Sequence, residues 1–96
     1  MKKLVLHVRR EYFYQIKCGT KLFEFREMTP YWGKRIRKND YEAVEIVLGY
    51  AKKDDAERRM LFKWDGFHED NLCHKEFGKH ITRVFAVSLK GKRLDV

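Results

Sequence analysis

The feature that most constrains this chain is a short helical pattern set between alternating segments. From Arg9 to Cys18 the apolar side chains Tyr12, Phe13 and Ile16 fall at helical spacing. Glu11 sits in the first turn, Lys17 in the last, and Gly19 follows where a left-handed cap belongs. Before it, Leu4, Leu6 and Val8 alternate with Val5 and His7, which is strand periodicity. After it, residues 22–27 (LFEFRE) alternate again, Phe23 and Phe25 on one face and Leu22, Glu24 and Arg26 on the other. Residues 43–50, 58–64 and 81–89 are further β-rich runs, and 68–73 is an additional candidate. Pro30 opens an irregular or helical connection, to about Lys38, that displays Tyr31 and Trp32. Five to six strands with a helix inserted after the first predict an α+β fold, a small and mainly antiparallel β-barrel, because such strands abolish exposed edges only by closing.

Ninety-six residues suit one domain, 1–96, and 44% hydrophobic residues suffice for one core. The opening MKKLVLHVRR is too short in apolar residues for a signal-peptide core or a membrane span. A soluble cytoplasmic protein without a membrane partner is expected, its Cys18 and Cys73 reduced. The net charge is +8, with the basic excess in both halves and its densest run at Lys34, Arg35, Arg37 and Lys38 (KRIRK). Such a balance suits a polyanionic partner, because Lys and Arg that neutralise phosphates release condensed counterions.

The stretch GTKLFEFR poses the functional question. In a regular strand Glu24 and Arg26 share a face and pair laterally, while Lys21 would point toward the core with Phe23 and Phe25, where an ammonium is costly. Lys21 stands at the first residue of the strand beside Gly19, where the pleat need not hold, so its side chain can swing to the helix–strand junction. Spacing leaves open a surface ion pair or a pocket. Elsewhere the chemistry is thinner. His68, Cys73, His74 and His80 lack the spacing of a metal site, so neither metal nor cofactor is expected. Asp54 and Asp55, flanked by Lys52, Lys53, Arg58 and Arg59, read as a solvated hairpin tip.

The stretch YFYQIKCGTKLFEFR resembles the signature of the ASCH domain, a branch of the PUA-like superfold, in which an aromatic-rich helix ends in Gly-x-Lys-x-x-Glu-x-Arg. Gly19, Lys21, Glu24 and Arg26 match it. PYWGKRI and IVLGY are similar to a small single-domain subgroup frequently encoded by phages and prophages. The resemblance implies a PUA-like β-barrel with a cleft between barrel and helix, lined by Lys21, Glu24 and Arg26, that binds RNA or modified nucleosides. Tyr12, Tyr31, Trp32 and Tyr50 are then candidates to stack on bases, and Lys34, Arg35, Arg37 and Lys38 to meet the nucleic-acid backbone.

An RNA-directed enzyme on the same cleft is the alternative, with Lys21 and Glu24 as its catalytic residues. Some similar proteins hydrolyse the acyl amide of N4-acetylcytidine with the lysine, a threonine where this chain has Glu24, and a later glutamate. Glu42, Glu45, Glu57, Glu69 and Glu76 are the candidates for that glutamate here. Another member is a ribonuclease. A protein-interaction adaptor, its basic face meeting an acidic partner, is the third reading.

Overall fold

In the computed structural model, which describes residues 1–73 and 80–96, the strands pair as two three-stranded sheets. The chain runs through β1 (Lys3–Val8), α1 (Arg10–Lys17), β2 (Phe23–Glu27), α2 (Pro30–Ile36) and β3 (Ala43–Leu48). A 3-10 turn (Ala56–Arg58) then leads into β4 (Arg59–Lys63), β5 (Phe67–Leu72) and β6 (Thr82–Ser88). One sheet has the order β1-β3-β4, the other β2-β6-β5. Among the described residues no strand pairing joins the two sheets. Each element agrees with the sequence pattern to within a few residues. The connection after Pro30 resolves as a helix, with Pro30 in its first turn and the Thr29 hydroxyl accepting from Trp32 N–H at 3.3 Å.

Pairing is mainly antiparallel, as expected, except that β1 and β3 run parallel, Leu4 opposite Val44 and Val8 opposite Leu48. A parallel pair needs a crossover, and here α1, β2 and α2 make it. The consequence is local to function: the C-terminal ends of β1 and β3 emerge side by side.

Each sheet's central strand is covered on both faces. Ala43–Val47 of β3 and Val84–Ser88 of β6 are buried, so both segments read as nearly continuous apolar runs. One hydrophobic cluster unites the sheets and helices: Leu6, Ile46 and Met60 from one sheet, Phe85 and Val87 from the other, Phe13 from α1 and Ile36 from α2. On the opposite face of the first sheet the buried Glu45 carboxylate meets Lys3 at 3.2 Å and Arg59 at 3.1 Å. Among the described residues no helix is long and apolar enough to cross a membrane.

The segment after β6 lies along β4. Lys63 N–H donates to Lys92 O and Leu94 N–H to Leu61 O, each at 2.8 Å, and Arg93 bridges Phe62. Gly91 permits this approach: a Cβ there would lie 1.9 Å from the Lys63 carbonyl oxygen, a backbone atom that cannot rotate away. Gly91→Ala is therefore expected to displace the strap and cost about 1–3 kcal/mol, read as a lowered midpoint in urea unfolding.

The strap also carries a charge pair. Arg93 Nε and Nη2 donate to the two Asp95 oxygens at 2.7 and 2.8 Å, and these bonds hold the Asp95 carboxyl below its ordinary range. A carboxylate with a depressed folded-state value adds stability above the unfolded value of about 3.9, and this is lost as pH falls through the lower folded value. Asp95→Asn should thus lower stability at neutral pH and flatten its decline below about pH 4 in pH-dependent denaturation.

Candidate functional site

Register, not hydropathy, decides which face of β2 turns inward. In the antiparallel ladder Glu24 lies opposite Val87 and Arg26 opposite Phe85, and both partners belong to the core cluster. Glu24 and Arg26 therefore share the core-side face, and Glu24 is only 5% exposed. Phe23 and Phe25, which alternation alone would turn inward, lie opposite Ser88 and Ala86 and are half-buried. The expected orientation of β2 is thus reversed, because β6 fixes the pairing and the inward charges find partners.

Those partners are specific. Arg26 Nη1 donates to Glu24 Oε2 and, at 3.1 Å, to Phe25 O; its Nη2 donates to His7 O at 2.7 Å. The guanidinium also lies 5.2 Å from the Trp32 ring centre. Lys21 precedes the first residue of β2, as its place beside the helix cap allows. The Gln15 carbonyl accepts from the N–H groups of both Thr20 and Lys21, at 3.0 and 3.1 Å, which fixes where the strand leaves α1. From there the Lys21 ammonium reaches Glu24 Oε1 at 3.7 Å and stands 4.7 Å from the Phe25 ring and 5.2 Å from the Tyr12 ring. Glu24 thereby holds two cations, one on each oxygen.

These side chains line a cleft of about 380 Å³ with His7, Arg9, Glu27, Tyr12 and Trp32. Tyr12 and Trp32 each pack partly against the core, so α1 and α2 each supply an aromatic wall to a cleft whose charged group is built on β2. Arg9, Lys21 and Arg26 line it together with Glu24 and Glu27, and Glu24 is already engaged on both oxygens. What the cleft chiefly offers is hydrogen-bond donors between aromatic faces.

Of the residues singled out in the sequence, Lys21, Glu24, Arg26, Tyr12 and Trp32 come together in this cleft, and the remainder do not. Tyr31 is outside it, edge-on to Trp32, with the Arg35 guanidinium 3.4 Å from its ring centre. Tyr50 stands beyond the cleft, its ring 5.1 Å from His7. Lys34, Arg35, Arg37 and Lys38 are all exposed, but they are not equivalent. All but Arg35 line a groove beside Met28 and Thr29, and Arg37 is in addition bonded to Glu69 at 2.7 Å.

Among the candidates for a later glutamate, Glu45 is held by Lys3 and Arg59, Glu69 by Arg37 and Arg83, Glu57 lies on the 3-10 turn, and Glu42 precedes β3. None of these lines the cleft. Glu76 and His74 fall outside the described residues. Asp55 pairs with Arg58 at 2.7 Å in the turn before β4, and His68 faces Asp70 at 3.6 Å on β5.

Sequence reasoning missed His7 and Arg9. Both sit where β1 ends, and their importance depends on the parallel β1–β3 pairing and on Arg26 reaching the His7 carbonyl, neither of which leaves a local signal. Comparison with models of known protein families, with curated proteins and with solved structures finds no match in any of the three.

Glu24 is the counter-charge for two cations whose side chains are mostly withdrawn from water. Removing it strands them, and Glu24→Ala should cost about 3 kcal/mol. Glu24→Gln, which keeps an acceptor for Arg26, should cost less; urea unfolding of the two variants side by side measures the difference.

Proposed function

We propose that this chain is an RNA- or modified-nucleoside-binding domain of the ASCH type, its two sheets being the walls of a PUA-like barrel and its cleft the ligand site. One observation carries the reading: an inward-facing Arg26–Glu24–Lys21 group forms the floor of a cleft walled by Tyr12 and Trp32. A nucleobase is a flat ring edged with carbonyl or ring-nitrogen acceptors, and it suits aromatic walls above a donor-rich floor. Arg26 presents its remaining N–H groups to a base edge or phosphate, Lys21 an ammonium, and Glu24 orients both. The exposed Lys34, Arg35 and Lys38 add attraction for the phosphate backbone.

A second reading, an amidohydrolase or ribonuclease on the same cleft, is favoured by one contact. The direct hydrogen bond to Glu24 comes from Arg26, while Lys21 stands at 3.7 Å, which leaves the lysine free to turn toward a substrate carbonyl. Against this, a nucleophilic lysine must present a lone pair, and a lone pair has no attraction to the carboxylate that positions it. Lys21 serves better as a donor to a bound anion or carbonyl.

Lys21→Ala and Arg26→Ala are each expected to weaken RNA or nucleoside binding about tenfold or more while the protein stays folded, Arg26→Ala at lowered stability because the buried Glu24 keeps only Lys21. Titration of short single-stranded RNAs and modified nucleosides, with circular dichroism as the fold control, checks this. No binding to any of them by the native chain would overturn the proposal. Wild-type turnover of N4-acetylcytidine should be absent by mass, and efficient turnover abolished by Lys21→Ala would establish the hydrolase instead. Replacing Lys34, Arg35 and Lys38 with glutamine should flatten the salt dependence of RNA affinity, since each phosphate contact contributes to that slope.

A further inference from the structure

Tyr50 is 92% exposed, yet the turn that carries it is fixed from both sides. Gly49 N–H donates to Val8 O at 2.9 Å, and His7 Nδ1 donates to Gly49 O at 2.7 Å. From the other side Arg59 donates to Ala51 O at 2.8 Å and to Lys52 O at 2.9 Å, and Arg59 is itself anchored by the buried Glu45. Turns of this kind are ordinarily made of glycine, asparagine, aspartate or serine, and a rigidly held turn gains nothing from a large ring left in water. The ring has a neighbour, however. The His7 imidazole lies 5.1 Å away, tilted by 31°, and leaves the Tyr50 ring almost wholly open to solvent.

His7 connects this pair to the cleft. It lines the cleft, where its carbonyl oxygen accepts from Arg26 Nη2, while its imidazole meets the Gly49–Tyr50 turn. Arg9 follows on the same strand end, and the exposed Lys52 and Lys53 follow Tyr50. Cations together with exposed aromatic rings are the combination that tracks a single-stranded backbone while successive bases stack.

We infer that the His7–Tyr50 pair is a second stacking platform, for the base next to the one held in the cleft, so that the ligand is a single-stranded oligonucleotide and not a free nucleoside. This rests on the nucleobase reading of the cleft. A nucleoside occupying the cleft alone would leave Tyr50 without a role, whereas a strand leaving the cleft past His7 meets the platform first and the lysines after it.

The test compares binding of the four common ribonucleosides and of the corresponding homopolymeric hexanucleotides to the wild type, Tyr50→Ala and Tyr50→Phe, by calorimetry and fluorescence anisotropy. Because the ring is exposed, neither substitution removes core packing. At least one hexanucleotide should bind more tightly than its nucleoside, and Tyr50→Ala should weaken the hexanucleotide about tenfold while leaving nucleoside affinity unchanged. Tyr50→Phe, which keeps the ring, should match the wild type. Nucleosides binding as tightly as hexanucleotides, or a Tyr50→Ala variant indistinguishable from wild type on both, overturns the platform and leaves the cleft standing. Failure of the wild type to bind either kind of probe overturns the cleft reading and the platform with it.

Discussion

The structure around the cleft depends on one buried ion pair. Turning Glu24 and Arg26 toward the core withdraws two charges from water, which is costly unless both are paired and their remaining polar atoms satisfied. The protein meets both requirements with elements distant in sequence. Arg26 gives one N–H to the end of β1 and one to its own strand, and lays its plane near Trp32 of α2. Glu24 takes Lys21 on its other oxygen, at the exit from α1. Four elements thus meet at one carboxylate–guanidinium contact, which locates the cleft as much as it charges it. A well-packed apolar pair often serves stability as well as a buried ion pair does, so the contact here counts for placing these elements as well as for holding them.

The secondary structure was largely legible because each element announces itself locally. The spacing of Phe13 and Ile16 marks α1, Thr29 and Pro30 mark the start of α2, and the apolar runs around Val44 and Val84 mark the two central strands. Spacing in residues 19–26 showed that Lys21 could escape the pleat that governs Glu24 and Arg26 but left a surface ion pair or a pocket open, and only the resemblance to the ASCH signature implied a cleft. What could not be read was tertiary. Alternation assigns Phe23 and Phe25 to the core, but a strand with two usable faces takes its orientation from its partner, and β6 was specified by its own burial. The parallel β1–β3 pairing that brings His7 beside Tyr50 is likewise invisible in either segment alone.

The basic surface is less uniform than the formal charge suggests. Arg37 is committed to Glu69, Arg59 to Glu45 and the turn beyond β3, Arg93 to Asp95, and Arg35 lies over Tyr31. Several guanidiniums therefore act as structural struts, fixing turns and strand ends through fork-shaped donation, while lysines such as Lys34, Lys38, Lys52 and Lys53 remain solvated. The division of labour follows from chemistry: a planar fork loses less freedom per bond formed than a flexible ammonium, and the ammonium is the better mobile counter-ion for a phosphate chain.

The order β2-β6-β5 has a consequence in time. β6 is the central strand of its sheet but follows both neighbours in sequence, so neither β2 nor β5 has its partner until β6 is available. The β3–β4 and β5–β6 pairings are closed by ten and nine residues and can form early, whereas β2 and β6 are separated by 54. Folding should therefore finish with the β2–β6 pairing. Until β6 docks, Glu24 and Arg26 sit on an unpaired strand in contact with water, and their desolvation is deferred to the final step, when the Arg26 contact to the already formed end of β1 can offset it. The cleft is then the last part of the molecule to assemble, and a nascent chain lacking β6 would have its aromatic walls without a floor.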